Sequence, residues 1–158
     1  MTTIENQIIE TWRIHNRITI FVIEHIPDEA LKATLSKRGG RDVARQFAHM
    51  NAVRVWQIEA LAKKLSMPLT NFQKDESPEK NRLFEAFEQS GLVMEKYLEQ
   101  RINKEGKATN FKSGVVAMLA YYISHEAHHR GNILLTIRQC GFKIPDELKW
   151  GIWEMMRK

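Results

Sequence analysis

His125 and His129 stand four residues apart in the run His125-Glu126-Ala127-His128-His129-Arg130-Gly131. On a helix that spacing brings both imidazoles to one face about one turn apart, so that they can point at a single ion. Two rings make one edge of a site, and a divalent transition metal takes at least one further protein ligand from another element. His49, on a separate predicted helix, is the natural third. Three neutral imidazoles would leave a coordination position open for water or substrate, the arrangement of a catalytic rather than a closed structural zinc site. Ligand type alone does not choose the ion, because imidazole suits zinc, nickel, iron and copper.

The elements that must position these rings read as helices almost throughout. Ile4, Ile8, Trp12, Ile18 and Val22 recur on one helix face and end near Pro27. After the breaker Ser36-Lys37-Arg38-Gly39-Gly40, a second long helix carries Val43, Phe47, Met50, Val53, Ile58, Leu61 and Leu65 and stops before Pro68. Ser77-Pro78 offers an N-cap and a first-turn proline for a third helix through Leu83, Phe84, Phe87, Met94 and Tyr97. Asn110 or Ser113 can cap a fourth, running through Val115, Met118, Leu119, Tyr122, Ile133, Leu134 and Ile137 to Gly141. Leu148, Trp150, Ile152 and Trp153 suggest a short C-terminal helical segment or flap.

With no strand alternation or repeat, the expected fold is all-α, a four-helix bundle forming a single domain over 1–158. The link from helix two to helix three is roughly 11 residues and could extend about 36 Å, close to the length of a helix of about 25 residues. It can therefore cross the bundle and leave those helices parallel, with Leu69 and Phe72 pinning it.

On helix four, Met118, Tyr122, His125, His129, Asn132 and Ile133 fall on one stripe, taken as the inward face, with the metal at the end of the bundle. His49 shares its stripe with Val53 and Trp56, so Trp56, Tyr122 and Asn132 are the substrate-pocket candidates. Other features have plainer explanations. His15, His25 and His128 read as surface or hydrogen-bonded core groups, and Trp12, Trp56, Met50, Met94 and Met118 as packing. Asp42 and Glu126 are carboxylates available to orient the free ring nitrogens, though exposed salt bridges would explain them equally well, and Arg130 is expected to clasp a neighbouring carboxylate ahead of a substrate anion. Gly131, costing about 1 kcal/mol in a helix interior, suggests close packing or access to the metal, and Cys140 reads as packing.

The lone cysteine excludes an intramolecular disulfide and a Cys-rich zinc module. Met1-Thr2-Thr3-Ile4-Glu5 lacks the pattern of a signal peptide, and no apolar run could span a bilayer, so the expected location is cytoplasmic, without a membrane. The net charge of +5, from 24 basic against 19 acidic residues, could suit nucleic acid, but the basic residues are interleaved with acids. A solvated helical surface explains them better.

The run His125 to Asn132, followed by Ile137-Arg138-Gln139-Cys140-Gly141-Phe142 and Ile144-Pro145-Asp146, resembles the C-terminal signature of the DinB-like superfamily, a damage-inducible family of metal-dependent hydrolases. Phe47-Ala48-His49-Met50-Asn51 resembles the matching helix-two segment, and the likeness covers nearly the whole chain. Where the family commonly has glutamine after Arg-Gly, this chain has Asn132, an amide shorter by one methylene. The resemblance implies an up-down-down-up bundle and a divalent metal, zinc ahead of nickel, on His49, His125 and His129. It also implies a small-molecule substrate and a homodimer, and in some relatives a low-molecular-weight thiol such as mycothiol, bacillithiol or glutathione. The expected function is thus a metal-dependent hydrolase or thiol S-transferase. A non-catalytic, stress-associated metal-binding dimer is the alternative, and a nucleic-acid binder is the least favoured.

Overall fold

The computed structural model describes residues 3–157; Met1, Thr2 and Lys158, and with them the first two residues of the opening segment, lie outside it. Four long helices and one short one make the architecture: α1 (Ile4–His25), α2 (Val43–Leu65), α3 (Lys80–Ile102), α4 (Val115–Gln139) and α5 (Asp146–Met155). A 3₁₀ turn, Asp28–Lys32, follows α1.

Contacts across the helices set their directions. Phe47 packs on Phe87, the Arg54 guanidinium donates to Ser90, and Gln57 donates to the Tyr97 hydroxyl, so numbering rises together on α2 and α3. These two are parallel. On α1 and α3 it runs oppositely, because Trp12 Nε1 donates to Gly91 O while Lys80 Nζ donates to Ile26 O. Trp12 against Tyr122 and Thr19 against Arg130 make α1 parallel to α4. The bundle is therefore up-down-down-up. The 66–79 segment makes the crossover, with Phe72 buried and Leu69 partly buried against the core.

Asp42 ties the starts of the parallel pair together. Its Oδ1 caps α2 by accepting from Arg45 N, and its Oδ2 accepts from Ser77 Oγ just before α3. Ser77 is thus not the α3 cap; the helix begins at Lys80 with Glu79 at the cap position. Neither Asn110 nor Ser113 caps α4, which follows Gly114 at φ 86°. A β-carbon at Gly114 would lie 2.8 Å from Gly106 O, the carbonyl that accepts from Val115 N, so only glycine fits this turn. The C-terminal piece is a helix of 10 residues, α5, docked on α1 with Leu148 fully buried.

The core has three layers. One apolar cluster holds Val22, Phe47, Met50, Leu83, Phe87, Ile133 and Ile137; the other holds Trp12, Ile58, Met94, Leu98, Met118 and Tyr122. Between them every long helix contributes polar side chains, all buried: His15 and Thr19, Arg54, Ser90, and Glu126 with Arg130. The inward face of α4 consequently runs Met118, Tyr122, Glu126, Arg130, Ile133 and Ile137, about one position away from the predicted stripe. That shift turns His125 and His129 to the edge facing α2 and leaves Asn132 exposed. Gly131 is exposed as well, and a β-carbon there would meet nothing within 4 Å, so it marks no close packing.

Gly91 does mark one. A β-carbon there would lie 2.2 Å from Asn16 Nδ2, and Asn16 is held in place because its Oδ1 accepts from the buried Arg54 Nη1 at 2.6 Å. Gly91→Ala gains about 1 kcal/mol of helix propensity but forces α1 and α3 apart or breaks that hydrogen bond. We expect a net loss of about 1–2 kcal/mol in urea unfolding; an unchanged midpoint would show that this crossing is not tight.

Candidate metal centre

His49, on the second turn of α2, meets His125 and His129 of the antiparallel α4. Ring centroids are 5.5 Å apart for His49 and His125, 5.0 Å for His49 and His129, and 4.6 Å for His125 and His129. One nitrogen from each of the three rings lies within 4.8 Å of the others. All three side chains are half-buried. The cluster sits beside the polar layer, at mid-height on the α2–α4 seam, and not at the end of the bundle as expected.

Its chemistry suits a cation that binds neutral imidazole. Burial pushes the pKa of each ring down, with the positive charge of Arg41 adding to the effect at His49 and mutual repulsion adding to it at His129. His129 falls to about 4. Near neutral pH all three rings therefore carry free lone pairs. In addition, Nδ1 of His125 and Nδ1 of His129 are buried without a hydrogen-bond partner. Unpartnered buried nitrogens are costly in a folded protein, and a bound divalent ion is one ordinary means of satisfying such rings. The residues present thus fit the metal.

The carboxylates do other work. Glu126, flanked by two of these histidines in sequence, turns away into the core and is fully buried. It accepts from Arg54 Nε at 2.6 Å and Nη2 at 2.7 Å, from His15 Nε2 at 2.9 Å and from Thr19 Oγ1 at 3.2 Å. Burial alone would raise its pKa, but the Arg54 guanidinium and His15 outweigh burial and hold it well below the ordinary carboxylate range. Arg130 lies 3.9 Å from the same carboxylate and donates to Thr19 Oγ1. Arg130 does have the neighbouring carboxylate expected of it, whereas neither Asp42 nor Glu126 forms an exposed salt bridge. Both orient structure, Asp42 at the helix starts and Glu126 behind the histidines.

Of the three pocket candidates, Trp56 lies on α2 two turns beyond His49 with 68% of its surface exposed, so it is not core packing. Asn132 is exposed and donates to His128 Nε2. Tyr122 is buried, donates to Val53 O and packs on Trp12, behind the site. The ring beside the histidines is Tyr121, which stacks on His125 at 5.8 Å with only 11° between the planes and is itself flanked by Phe111. The expected stripe grouped Tyr122 with His125 and His129, whereas Tyr122 belongs to the buried face of α4 and Tyr121 to its histidine edge. The signal was present in the position of Tyr121, four residues before His125.

A sequence model describing the DinB family matches residues 1–147 of the 158. The chain belongs to the DinB family. No curated protein matches it. The histidine cluster lies wholly within the matched DinB region, as do α1 to α4. Among the described residues, no helix of this DinB chain is long and apolar enough to cross a membrane.

Proposed function

We propose that His49, His125 and His129 hold one divalent transition ion, zinc ahead of nickel, and that this DinB protein is a metal-dependent enzyme acting on a small molecule. The reaction is either hydrolysis or S-transfer with a low-molecular-weight thiol. The observation that carries the reading is the convergence of three ring nitrogens within 4.8 Å of one another, with two buried Nδ1 atoms lacking any partner. When bound, the metal would supply Lewis acidity that favours the deprotonated form of water or a thiol near neutral pH. The chain's own part is positional. The charged layer holds α4 against α1 and α2 so that the three rings meet, and Tyr121 stacks against one side of His125. Tyr121 beside the rings and Trp56 two turns farther along α2 offer exposed aromatic surface for a substrate body. A homodimer, a single domain over 1–158, a cytoplasmic location and the absence of a nucleic-acid partner belong to the same reading.

Elemental analysis of protein purified without a histidine tag tests it. About one equivalent of zinc or nickel is expected, lost in His49→Ala and in His129→Ala. Because burial lowers the pKa of all three rings, bound metal should persist below the ordinary histidine range of about 6.5 and be released as falling pH protonates the ligands. Absence of metal after incubation with either ion would overturn the assignment.

A further inference from the structure

A second feature lies farther along α2, toward its C-terminus from His49. The C-terminal halves of the parallel α2 and α3, together with the loop before α4, enclose a cleft of about 470 Å³. Its walls carry Lys64, Arg101 and Lys104 and no acidic residue. The acids nearest to these in sequence are engaged elsewhere, Glu59 with Lys63, Glu99 with Lys96 and Glu105 with Lys107. Arg101 stacks over the Tyr97 ring at 4.7 Å and donates to Thr109 Oγ1, which fixes its guanidinium without neutralising it. Among the described residues, Lys64 and Lys104 form no ion pair with a carboxylate.

Cations near helix C-termini are common because the last carbonyls favour them, and that alone would account for the lysines. It does not account for two further features of the same cleft. Gln57 donates through Nε2 to the Tyr97 hydroxyl and toward Thr109 O, leaving its Oε1 buried with no donor. Trp56 presents a largely exposed indole at the cleft edge. An unmade hydrogen bond of this kind costs about 1–3 kcal/mol, but that oxygen is too deeply buried for a ligand to reach, so the exposed Trp56 is the feature that points to a bound planar group.

The cleft and the histidines are joined by aromatic surface. Trp56 lies seven residues after His49 on one face of α2, about 10 Å along the helix. On the opposite side, Tyr121 stacks on His125 and Phe111 packs on Tyr121, immediately after the cleft residues Thr109 and Asn110. Lysine and arginine stems on a helix lean toward its N-terminus, so Lys64 and Arg101 reach back toward Trp56 rather than away from it.

We infer that this cleft binds the anionic end of a small molecule with a planar apolar body, whose other end reaches the three histidines. The inference rests on the metal-site reading for the second half of that statement only. It narrows the substrate, or the co-substrate thiol, to an elongated anion and makes Lys64, Lys104 and Trp56 specificity-determining residues.

The test is calorimetric titration of the full chain with naphthalene-1-sulfonate, a planar anion with no hydrolysable bond, beside inorganic sulfate and 1-naphthol. Saturable binding of the sulfonate is expected, with both controls weaker by about tenfold or more. The exposed pair Lys64→Ala/Lys104→Ala and the variant Trp56→Ala should each weaken it by about tenfold, while Lys149→Ala, an exposed lysine on α5 outside the cleft, should leave it unchanged. No saturable binding, or equal affinity in the double lysine variant, would overturn the inference even in a protein that holds metal. Saturable binding by a wild-type chain that takes up no zinc or nickel would support the anion site, and the missing metal, not the binding, would sink the three-histidine reading.

Discussion

Glu126→Ala should destabilise the protein by about 3–5 kcal/mol, the cost typical of removing one partner from a fully buried ion pair. The reason is what it leaves behind. Arg54 is fully buried and makes two of its hydrogen bonds to this carboxylate, while Thr19 and His15 lose an acceptor. Domains of this size are stable by only about 5–15 kcal/mol, so the variant should be marginal at 25 °C. Equilibrium urea unfolding reads the effect. Replacing both charges with apolar residues, Arg54→Met with Glu126→Leu, should cost much less than the sum of the single changes, because no unpaired ion remains in the core. A Glu126→Ala loss below about 1 kcal/mol would mean that water enters the layer and relieves Arg54.

The same network fixes the sign of the pH dependence. Glu126 has its pKa depressed in the fold, so its stabilisation is present above the unfolded value of about 4.3 and is lost as pH falls toward the folded value. Burial also depresses the His15 pKa, against the opposing pull of Glu126. His15 therefore binds fewer protons folded than unfolded, and stability should begin to decline as pH drops below about 6.5. Both groups act in one direction. Acid unfolding of the wild type should thus start near the histidine range and steepen in the carboxylate range, and the steep part should be shallower in the Arg54→Met/Glu126→Leu protein, where Glu95 beside Arg13 still contributes.

This charged layer is also where reading the sequence stopped short. The helices were legible because apolar residues recur with a period near 3.6, and the crossover was legible from its length, which made parallel α2 and α3 feasible. The histidines were legible because a spacing of four on one helix, plus one ring elsewhere, is a chemical pattern independent of packing. Glu126 and Arg54 carry no such local mark. A glutamate or arginine inside a helical period reads as surface until its partner on another helix is known, and these two are 72 positions apart. Treating Glu126 as exterior put His125 and His129 on the inward face of α4, and so placed Tyr122 rather than Tyr121 beside the rings. Helix starts failed for a similar reason. Ser77 has the chemistry of a cap, but Asp42, contributed by a different helix start, takes its hydroxyl hydrogen.

Metal loading should raise the stability of the folded chain, and by an amount that links the site to the fold. A ligand that binds only the native state stabilises it by about 2.7 kcal/mol when its free concentration is about 100 times Kd. For a chain of this length that corresponds to an upward shift in Tm of roughly 5–10 °C. Zinc or nickel should give the shift and a chelator should reverse it. His125→Ala should remove the response while leaving the metal-free Tm nearly unchanged, since the ring is half-buried and its Nδ1 makes no hydrogen bond. In Glu126→Ala the base Tm should drop, yet an increment on metal addition should persist wherever the protein remains folded, because no hydrogen bond joins that carboxylate to the three rings. The two variants therefore separate binding from scaffolding: one loses the increment and keeps the baseline, the other loses baseline and keeps the increment. If metal raised Tm equally in His125→Ala, the ion would be binding elsewhere, and the convergence of the three rings would reflect only how α4 packs on α2.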